Sequence, residues 1–376
     1  NDGNTLPIAA TAKKILVIGG AADVGVLSGG GSSQVRGVGG APIEIPLSTG
    51  GSASFARITY HASSPLDALR KNLPDAEISF TNGLNLNATV EAAKHADLVI
   101  VFATQWTTEA DDVPDLRLPN HQDALIAAVA SAQPHIVAVL ETGGPVLMPW
   151  IARVPAVLQA WYPGQRGGEA IANILTGKVN PSGRLPITFP AAASQPPRPL
   201  PVGRDTMTAG EAAAAADPGA GGNFQLASFP VRYQEGSDVG YRWYEKQGLK
   251  PLFPFGHGLS YTSFVYANAR VTGGKRLTIS FDVTNTGKRA GADVPQLYVS
   301  REGVPMRLAG FQRVTLAPGE TRRITLIAEP RILAEYDSTL PGWRIAPGKV
   351  RVAIARDATD RSMMLETNLD GATMKP

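Results

Sequence analysis

The hydrophobic pattern of this chain changes its period once, near residue 262, and that change limits what the chain can fold into. Before it, from residue 14 to 190, short uninterrupted apolar runs alternate with segments of helical spacing. KILVIG (14–19), ADLVIVFAT (96–104), PHIVAVLET (134–142) and PAVLQAWY (155–162) are runs of this kind. A strand that is apolar on both faces must be covered on both, which is the condition of a mostly parallel sheet between helices. The intervening segments carry helix signals. Ser64 precedes Pro65, with Asp67 in the first turn and Leu66, Leu69 and Leu73 at helical spacing. Asn120 precedes HQDALIAAVASA, with Asp123 in its first turn. GGEAIANILTG (167–177) places Ala170, Ile171, Ile174 and Leu175 on one stripe and stops at Gly177, where a left-handed cap is expected. Strands and helices in alternation imply a layered α/β sandwich with right-handed crossovers.

Beyond residue 262 the period is two. RLTISFDVTN (276–285) alternates Leu277, Ile279, Phe281 and Val283 with polar residues, and RRITLIA (322–328) and KVRVAIAR (349–356) do the same. Turn clusters NTGKRAG, APGE and APGK separate them. Short alternating strands at this spacing indicate a β-sandwich of immunoglobulin or fibronectin type III kind. Between the two patterns, residues 191–230 are rich in Ala, Pro and Gly and have little periodicity. They are expected to form a long surface loop near a domain or subunit interface, broken at most by GEAAAAAD (210–217). The expected organisation is an α/β domain over 14–190, a loop and connecting segment over 191–261 packing on it, and a β-sandwich over 262–376.

Composition excludes several chemistries. There is no cysteine, hence no disulfide, thiol nucleophile or Cys-ligated metal. The five histidines are scattered, without an HExxH pair, so neither a metal site nor a cofactor is expected. With 35 basic and 32 acidic residues and no basic run, nucleic acid is not an expected partner. No apolar run approaches a membrane span. GGAADVG and SGGGSSQV fit neither GxGxxG nor a P-loop, and no GxSxG elbow occurs. Trp161-Tyr162-Pro163-Gly164 is read as a strand-end turn whose aromatics pack, Glu169 as a carboxylate at a helix start, and His257 as a structural residue in an aromatic turn. Glu235 and Arg242 are read as an ion pair or turn stabilisers.

One loop carries candidate chemistry. QWTTEADDVPDLRLP (105–119) follows the run ADLVIVFAT and gathers Glu109, Asp111, Asp112 and Asp115 beside Trp106. Ligand groups in open α/β sheets collect at the carboxyl ends of strands. An indole face suits a pyranose ring, and a carboxylic acid can protonate a glycosidic oxygen. A solvated acidic loop with helix-capping aspartates accounts for the same residues, and from the loop alone both readings stand.

The loop resembles a pattern of family 3 glycoside hydrolases, in which a Glu and usually Gly-x-Asp-Arg precede an LxLP…Q segment. Glu109, Asp112, Leu116, Leu118, Pro119 and Gln122 stand at the matching places. NDGNTLP (1–7), VIGGAAD with SGGGSSQV (28–35), TGGPVLMPW (142–150) and AWYPGQRGGEAIANILTGKVNPSGRLPITFP (160–190) are similar to segments of the same family. So are YQEGSDVGYRWYE (233–245), PLFPFGHGLSY (251–261), VTNTGKRAGADVPQLYVS (283–300) and LAGFQRVTLAPGE (308–320). The sequence departs from the pattern at Ala110 and Val113, where Gly and Arg are usual, leaving the arginine's ion-pairing role unfilled.

The resemblance implies a retaining β-glycosidase, first a β-glucosidase acting on terminal β-linked glucose. Its two carboxyl groups would lie roughly 5–5.5 Å apart. It implies Glu109 as acid/base, with Trp106, Asp112, Ser32 and Ser33 as sugar contacts. The nucleophile is then an Asp on a preceding (β/α)8 barrel. Residues 14–190 are too short for such a barrel, which takes about 250 residues. The barrel is therefore an expected partner, as a separate chain or a cleaved half, and residues 1–13 are read as the linker from it. The chain alone is expected to be inactive. Its start at Asn1 is read as internal, and a periplasmic or secreted location is expected, although the lack of cysteine suits the cytoplasm equally. Carbohydrate is the expected ligand and a homodimer the expected assembly. A non-enzymatic carbohydrate-binding module, or a family member acting on xylosides or N-acetylglucosaminides, remains open.

Overall fold

The computed structural model describes residues 1–47, 56–109, 112–200, 230–339 and 341–376. The helical patch expected at 210–217, most of the 191–230 loop and Asp111 lie outside the described residues. The chain divides into two compact units, one built on Asn1–Val179 and the other on Asn180–Ala191 with Gln234–Pro376.

In the first unit the doubly apolar runs become a parallel sheet. Its strands are β1 (Lys14–Ile18), β5 (Glu77–Thr81), β6 (Leu98–Gln105), β7 (Ile136–Thr142) and β8 (Ala156–Gln159). Their spatial order is β5-β1-β6-β7-β8, and every pairing is parallel. β7 is buried along its whole length and β6 nearly so, as strands covered on both faces must be. Helices α1 (Pro65–Asn72) and α4 (Gly167–Leu175) pack together, as do α2 (Leu86–Lys94) and α3 (Gln122–Ala132). α1 starts where its signals place it: the Ser64 hydroxyl accepts the Asp67 N–H at 3.0 Å. α1 and α4 approach so closely that a Cβ on Gly168 would lie 2.2 Å from the Ser63 carbonyl.

α3 begins later than the sequence suggests. Asn120 and His121 both hold left-handed backbone, so the helix starts at Gln122 with no side-chain cap. The start is fixed by another device. The Gln122 amide accepts the Thr104 N–H and donates to the Thr104 carbonyl, each at 2.8 Å, and so mimics a missing strand partner at the end of β6. A second, antiparallel sheet had no clear sequence signal. It orders β2 (Val26–Ser28), β4 (Arg57–His61) and β3 (Ile43–Pro46) as β2-β4-β3 and interrupts the path from β1 to α1.

The second unit is the expected β-sandwich. One sheet orders β9 (Phe264–Thr272), β10 (Thr278–Asn285) and β13 (Thr321–Ile327) as β13-β10-β9. The other orders β11 (Gln296–Arg301), β12 (Val304–Phe311), β14 (Gly348–Ala355) and β15 (Met364–Leu369) as β12-β11-β14-β15. β10 alternates half-buried and buried residues, and Ile279, Phe281 and Val283 enter one core with Leu297, Val352 and Ile354. His257 is stacked on Phe253 at 5.3 Å, as a structural residue would be. Arg242 pairs with Asp238 at 2.6 Å. No described helix is long and apolar enough to cross a membrane.

A buried charge pair ties Arg184, from the PSGRLP segment, to Asp293; the two side chains are 12% and 4% exposed. The other Asp293 oxygen accepts the Tyr266 hydroxyl at 2.6 Å, and burial raises that phenol's pKa. Removing one member strands the other in a dry site. Asp293→Ala should therefore lower the unfolding free energy by about 3–5 kcal/mol. Urea unfolding of the variant and its parent measures this, and a loss under about 1 kcal/mol, the worth of an exposed pair, would show that Arg184 reaches water instead.

Candidate functional site

The strand order of the parallel sheet reverses at β1: the chain first adds β5 on one side, then β6, β7 and β8 on the other. Loops leaving the carboxyl ends on either side of such a reversal diverge and open a crevice. A cavity of about 490 Å³ lies there, lined by Gly29, Gly30, Ser32, Thr107, Thr108, Glu109, Thr142, Gly143, Trp161 and Tyr162. The first three follow β2, the next three follow β6, and the last two pairs stand at the ends of β7 and β8. Its size falls within the range of small-molecule sites.

Glu109 stands in this cavity. Its side chain is exposed, and one carboxylate oxygen accepts the Ser32 N–H at 2.8 Å and, closer still, the Ser32 hydroxyl. The Ser32 hydroxyl, and after it the backbone N–H, hold the Glu109 pKa below the usual carboxylate value. Gly31 makes this approach possible: its φ is +76°, and a Cβ there would lie 2.4 Å from the Glu109 Cβ.

The base of the loop is clamped by Tyr162. Its hydroxyl donates to the Gln105 carbonyl at 2.7 Å and accepts the Thr107 N–H at 2.8 Å, with the Thr107 hydroxyl at 2.9 Å. Burial raises the phenol's pKa, so it stays a neutral donor. The far end is fixed by the LxLP…Q segment. Leu118 is buried, the Leu147 N–H bonds the Leu116 carbonyl at 2.8 Å, and the Trp150 indole N–H reaches Asp123 at 2.8 Å. Asp115 accepts the N–H and guanidinium of Arg117, which occupies it within its own turn.

The other residues singled out in the sequence are placed differently. Ser32 touches Glu109. Trp106 is half-buried behind Gly30, where its Cζ2 lies 2.5 Å from the position a Gly30 Cβ would take. The Trp106 indole N–H is buried without a partner among the described residues, and Trp106 is not one of the cavity's lining residues. Asp112 is exposed on the same loop, also outside the lining. The side chain of Ser33 lies outside the described residues. Among the described residues, no three His, Asp or Glu side chains come close enough together to hold a metal ion.

The sequence reading missed Thr107, Thr108 and Glu141 and read Trp161 as packing. Glu141 lies in β7, immediately before the cavity residues Thr142 and Gly143, and is 0% exposed. One of its oxygens accepts the Leu27 N–H at 2.6 Å; the other is buried with no partner among the described residues. Burial pushes the Glu141 carboxyl up to about 8. Its signal was faint: a lone Glu inside a doubly apolar strand.

Comparison with known proteins places the chain. Residues 1–261 match the model of the glycosyl hydrolase family 3 C-terminal domain, and residues 293–358 match a fibronectin type III-like domain. The chain belongs to glycosyl hydrolase family 3. It is 42% identical over 283 residues to a beta-glucosidase of Rhizobium radiobacter, covering 72% of this chain and 32% of that protein. It is 40% identical over 315 residues to beta-glucosidase B of Emericella nidulans, covering 77% of this chain and 35% of that one. The chain thus spans about a third of the length of these relatives. A beta-glucosidase of Streptomyces venezuelae, solved in complex with D-glucose, superposes with a TM-score of 0.79 at 27% identity, over 98% of this chain and 58% of that one. The family 3 beta-glucosidase of Bifidobacterium adolescentis superposes with a TM-score of 0.76 at 29% identity, over 99% and 51%.

The raised pKa of Glu141 has a consequence for stability. The unfolded chain loses this proton near pH 4.5, whereas the folded chain keeps it to about 8. Between those values the folded state binds more protons, so stability falls as pH rises, and the fall ends above pH 8. Glutamine does not titrate. The stability of Glu141→Gln relative to its parent should therefore climb between pH 5 and 8 by up to about 1.4 kcal/mol per pH unit, then level off. Urea unfolding at three pH values checks this; a difference independent of pH would mean that Glu141 is ionised in the fold.

Proposed function

We propose that this chain supplies the acid/base carboxylate of a retaining β-glucosidase, Glu109, to a reaction whose nucleophile is an Asp on a (β/α)8 barrel outside residues 1–376. The observation that carries the reading is the position of Glu109. It is a carboxylate at the carboxyl end of a parallel strand, beside the reversal of strand order, held by Ser32 over an open cavity. Family membership and the beta-glucosidase relatives support the reaction class. In the first step the barrel carboxylate attacks the anomeric carbon, the glycosidic bond breaks, and Glu109 gives its proton to the leaving oxygen. In the second, Glu109 takes a proton from water, which displaces the nucleophile and releases the sugar. Ser32 positions the carboxyl, and Trp106 supports the wall behind Gly30.

These steps need opposite protonation states of one group. Ser32 favours the carboxylate, the form needed to activate water. The protonated form needed first must come from burial and from the negative charge of the nucleophile. That charge disappears when the nucleophile becomes an ester in the glycosyl-enzyme, and Glu109 is then returned to the anionic form by the bonds this chain already makes.

Two measurements on the full-length protein test the reading. Glu109→Gln should slow cellobiose hydrolysis by about 100-fold or more, the usual worth of general acid–base catalysis. Activated aryl glucosides should still form the glycosyl-enzyme, and azide should restore their turnover. Full activity of Glu109→Gln on cellobiose would refute the assignment, and Asp112 would be the next carboxylate to replace. Separately, Ser32→Ala removes the larger of the two influences that lower the Glu109 pKa. The alkaline limb of kcat/KM, which requires protonated Glu109, should move to higher pH, and an unmoved limb would mean that another group is the acid.

A further inference from the structure

We propose that the second unit carries a binding site of its own, a small cavity between helix α5 (Tyr241–Lys246) and the turn after β14, which takes one neutral pyranose ring. The cavity has a volume of about 190 Å³, and all its lining residues belong to the second unit. It shares no residue with the cavity at Glu109, and the inference does not rest on Glu109 being the acid.

Two hydroxyls mark it as more than a packing gap. Tyr244 lines it and is 7% exposed, yet its hydroxyl bonds no described residue. That hydroxyl is not among the side-chain atoms sealed from solvent, so the little surface the residue keeps includes it. Burial pushes the phenol up to about 12, which leaves it a hydrogen-bond donor at neutral pH. The other hydroxyl, of the wall residue Thr188, is buried with no partner among the described residues. Buried hydroxyls are seldom left unpaired, because each forfeits the bonds it had in water.

The charges in the wall select the ligand. Glu245 and Arg361 both line the cavity and pair at 3.2 Å, with side chains 31% and 38% exposed. A ligand of either sign would be drawn to one and repelled by the other. Neighbouring hydroxyls of a neutral ring can instead donate to the carboxylate and accept from the guanidinium, so the pair need not break. The rest of the wall suits the carbon face of such a ring: Leu249, Pro251, Pro254 and the Tyr241 ring bring apolar surface. The volume is below the roughly 300 Å³ at which drug-sized sites begin, which limits the occupant to one ring. Both charged groups are fixed in advance. Glu245 accepts the Met306 N–H at 2.6 Å, and Arg361 donates to the Ala358 carbonyl at 2.9 Å. Groups already held lose little freedom on binding.

The test titrates the full-length protein with D-glucose by calorimetry, after its catalytic nucleophile has been esterified by an activated 2-deoxy-2-fluoroglucoside. One further glucose should bind per chain. Tyr244→Phe removes a hydroxyl that bonds nothing in the fold, so its unfolding midpoint should match the parent's, and it should weaken this binding about 5-fold. Thr359→Trp, which places an indole on an exposed residue of the wall, should abolish the binding with the unfolding midpoint kept. D-Glucuronate, an anionic ring of similar size, should bind more weakly than glucose. No binding, binding that either variant leaves unchanged, or tighter binding of glucuronate would overturn the proposal, the first of these leaving a cavity that holds water only. The reading of Glu109 fails by a different sign. If the fluoroglucoside leaves no adduct in the protein's mass, the two-carboxylate mechanism is wrong, and titration of the untreated protein against Tyr244→Phe and Thr359→Trp still decides this site.

Discussion

The cavity depends on the reversal of strand order at β1. A parallel strand can be reached only by a crossover, and crossovers have one hand. Adding β5 to one side of β1 and β6 to the other therefore sends α1 and α2 to opposite faces, consistent with the pairing of α1 with α4 and of α2 with α3. The loops at the carboxyl ends cannot close over the gap between them. Residues that follow β2 line one side of the gap, and residues 107–109, after β6, line the other. Every lining residue of the cavity comes from one of these loops or from the ends of β7 and β8. Its makeup is a consequence of topology before it is a consequence of chemistry.

Two glutamates near this gap have opposite environments. Glu141 is buried in β7, kept neutral by burial, and receives the Leu27 N–H of β2. Glu109 is exposed and kept anionic by Ser32. They are joined through a short path of backbone: Leu27 leads through Gly29 and Gly30 to Ser32. The buried carboxyl fixes one end of the segment whose other end holds the exposed one. Proximity in a fold is thus enough to give one residue type two states, set by desolvation in one case and by hydrogen bonding in the other.

Much of this was legible in the sequence, and the reasons are local. β6 and β7 announced themselves because a strand covered on both faces must be apolar throughout. β10 did so because Ile279, Phe281 and Val283 alternate with exposed neighbours. α1 was marked by a serine, a proline and an aspartate at fixed offsets. The start of α3 was not readable at Asn120, because Gln122 is anchored by Thr104, a residue 18 positions away. β2 and β3 are too short, at 3 and 4 residues, for a period to be recognised. At the site, Glu109 stood out as the only Glu of an acidic loop. Trp106 and Trp161 were equally visible as aromatics, but which one meets the cavity depends on Gly30 and on the turn after β8, and neither is encoded by neighbours in sequence.

The chemistry proposed for Glu109 gives this division of labour a physical sense. A group that must first donate and then accept the same proton cannot be tuned by one fixed environment. Here the fixed part, two hydrogen bonds from Ser32, favours the anion. The variable part would be a charge on another folding unit, present before the glycosyl-enzyme forms and cancelled once it has. With the proposed acid on one unit and that charge on another, the change in pKa would accompany the covalent step itself and would require no rearrangement around Glu109. A chain holding only the acid would keep it ionised at neutral pH, unable to protonate a leaving group until the second carboxylate is brought beside it.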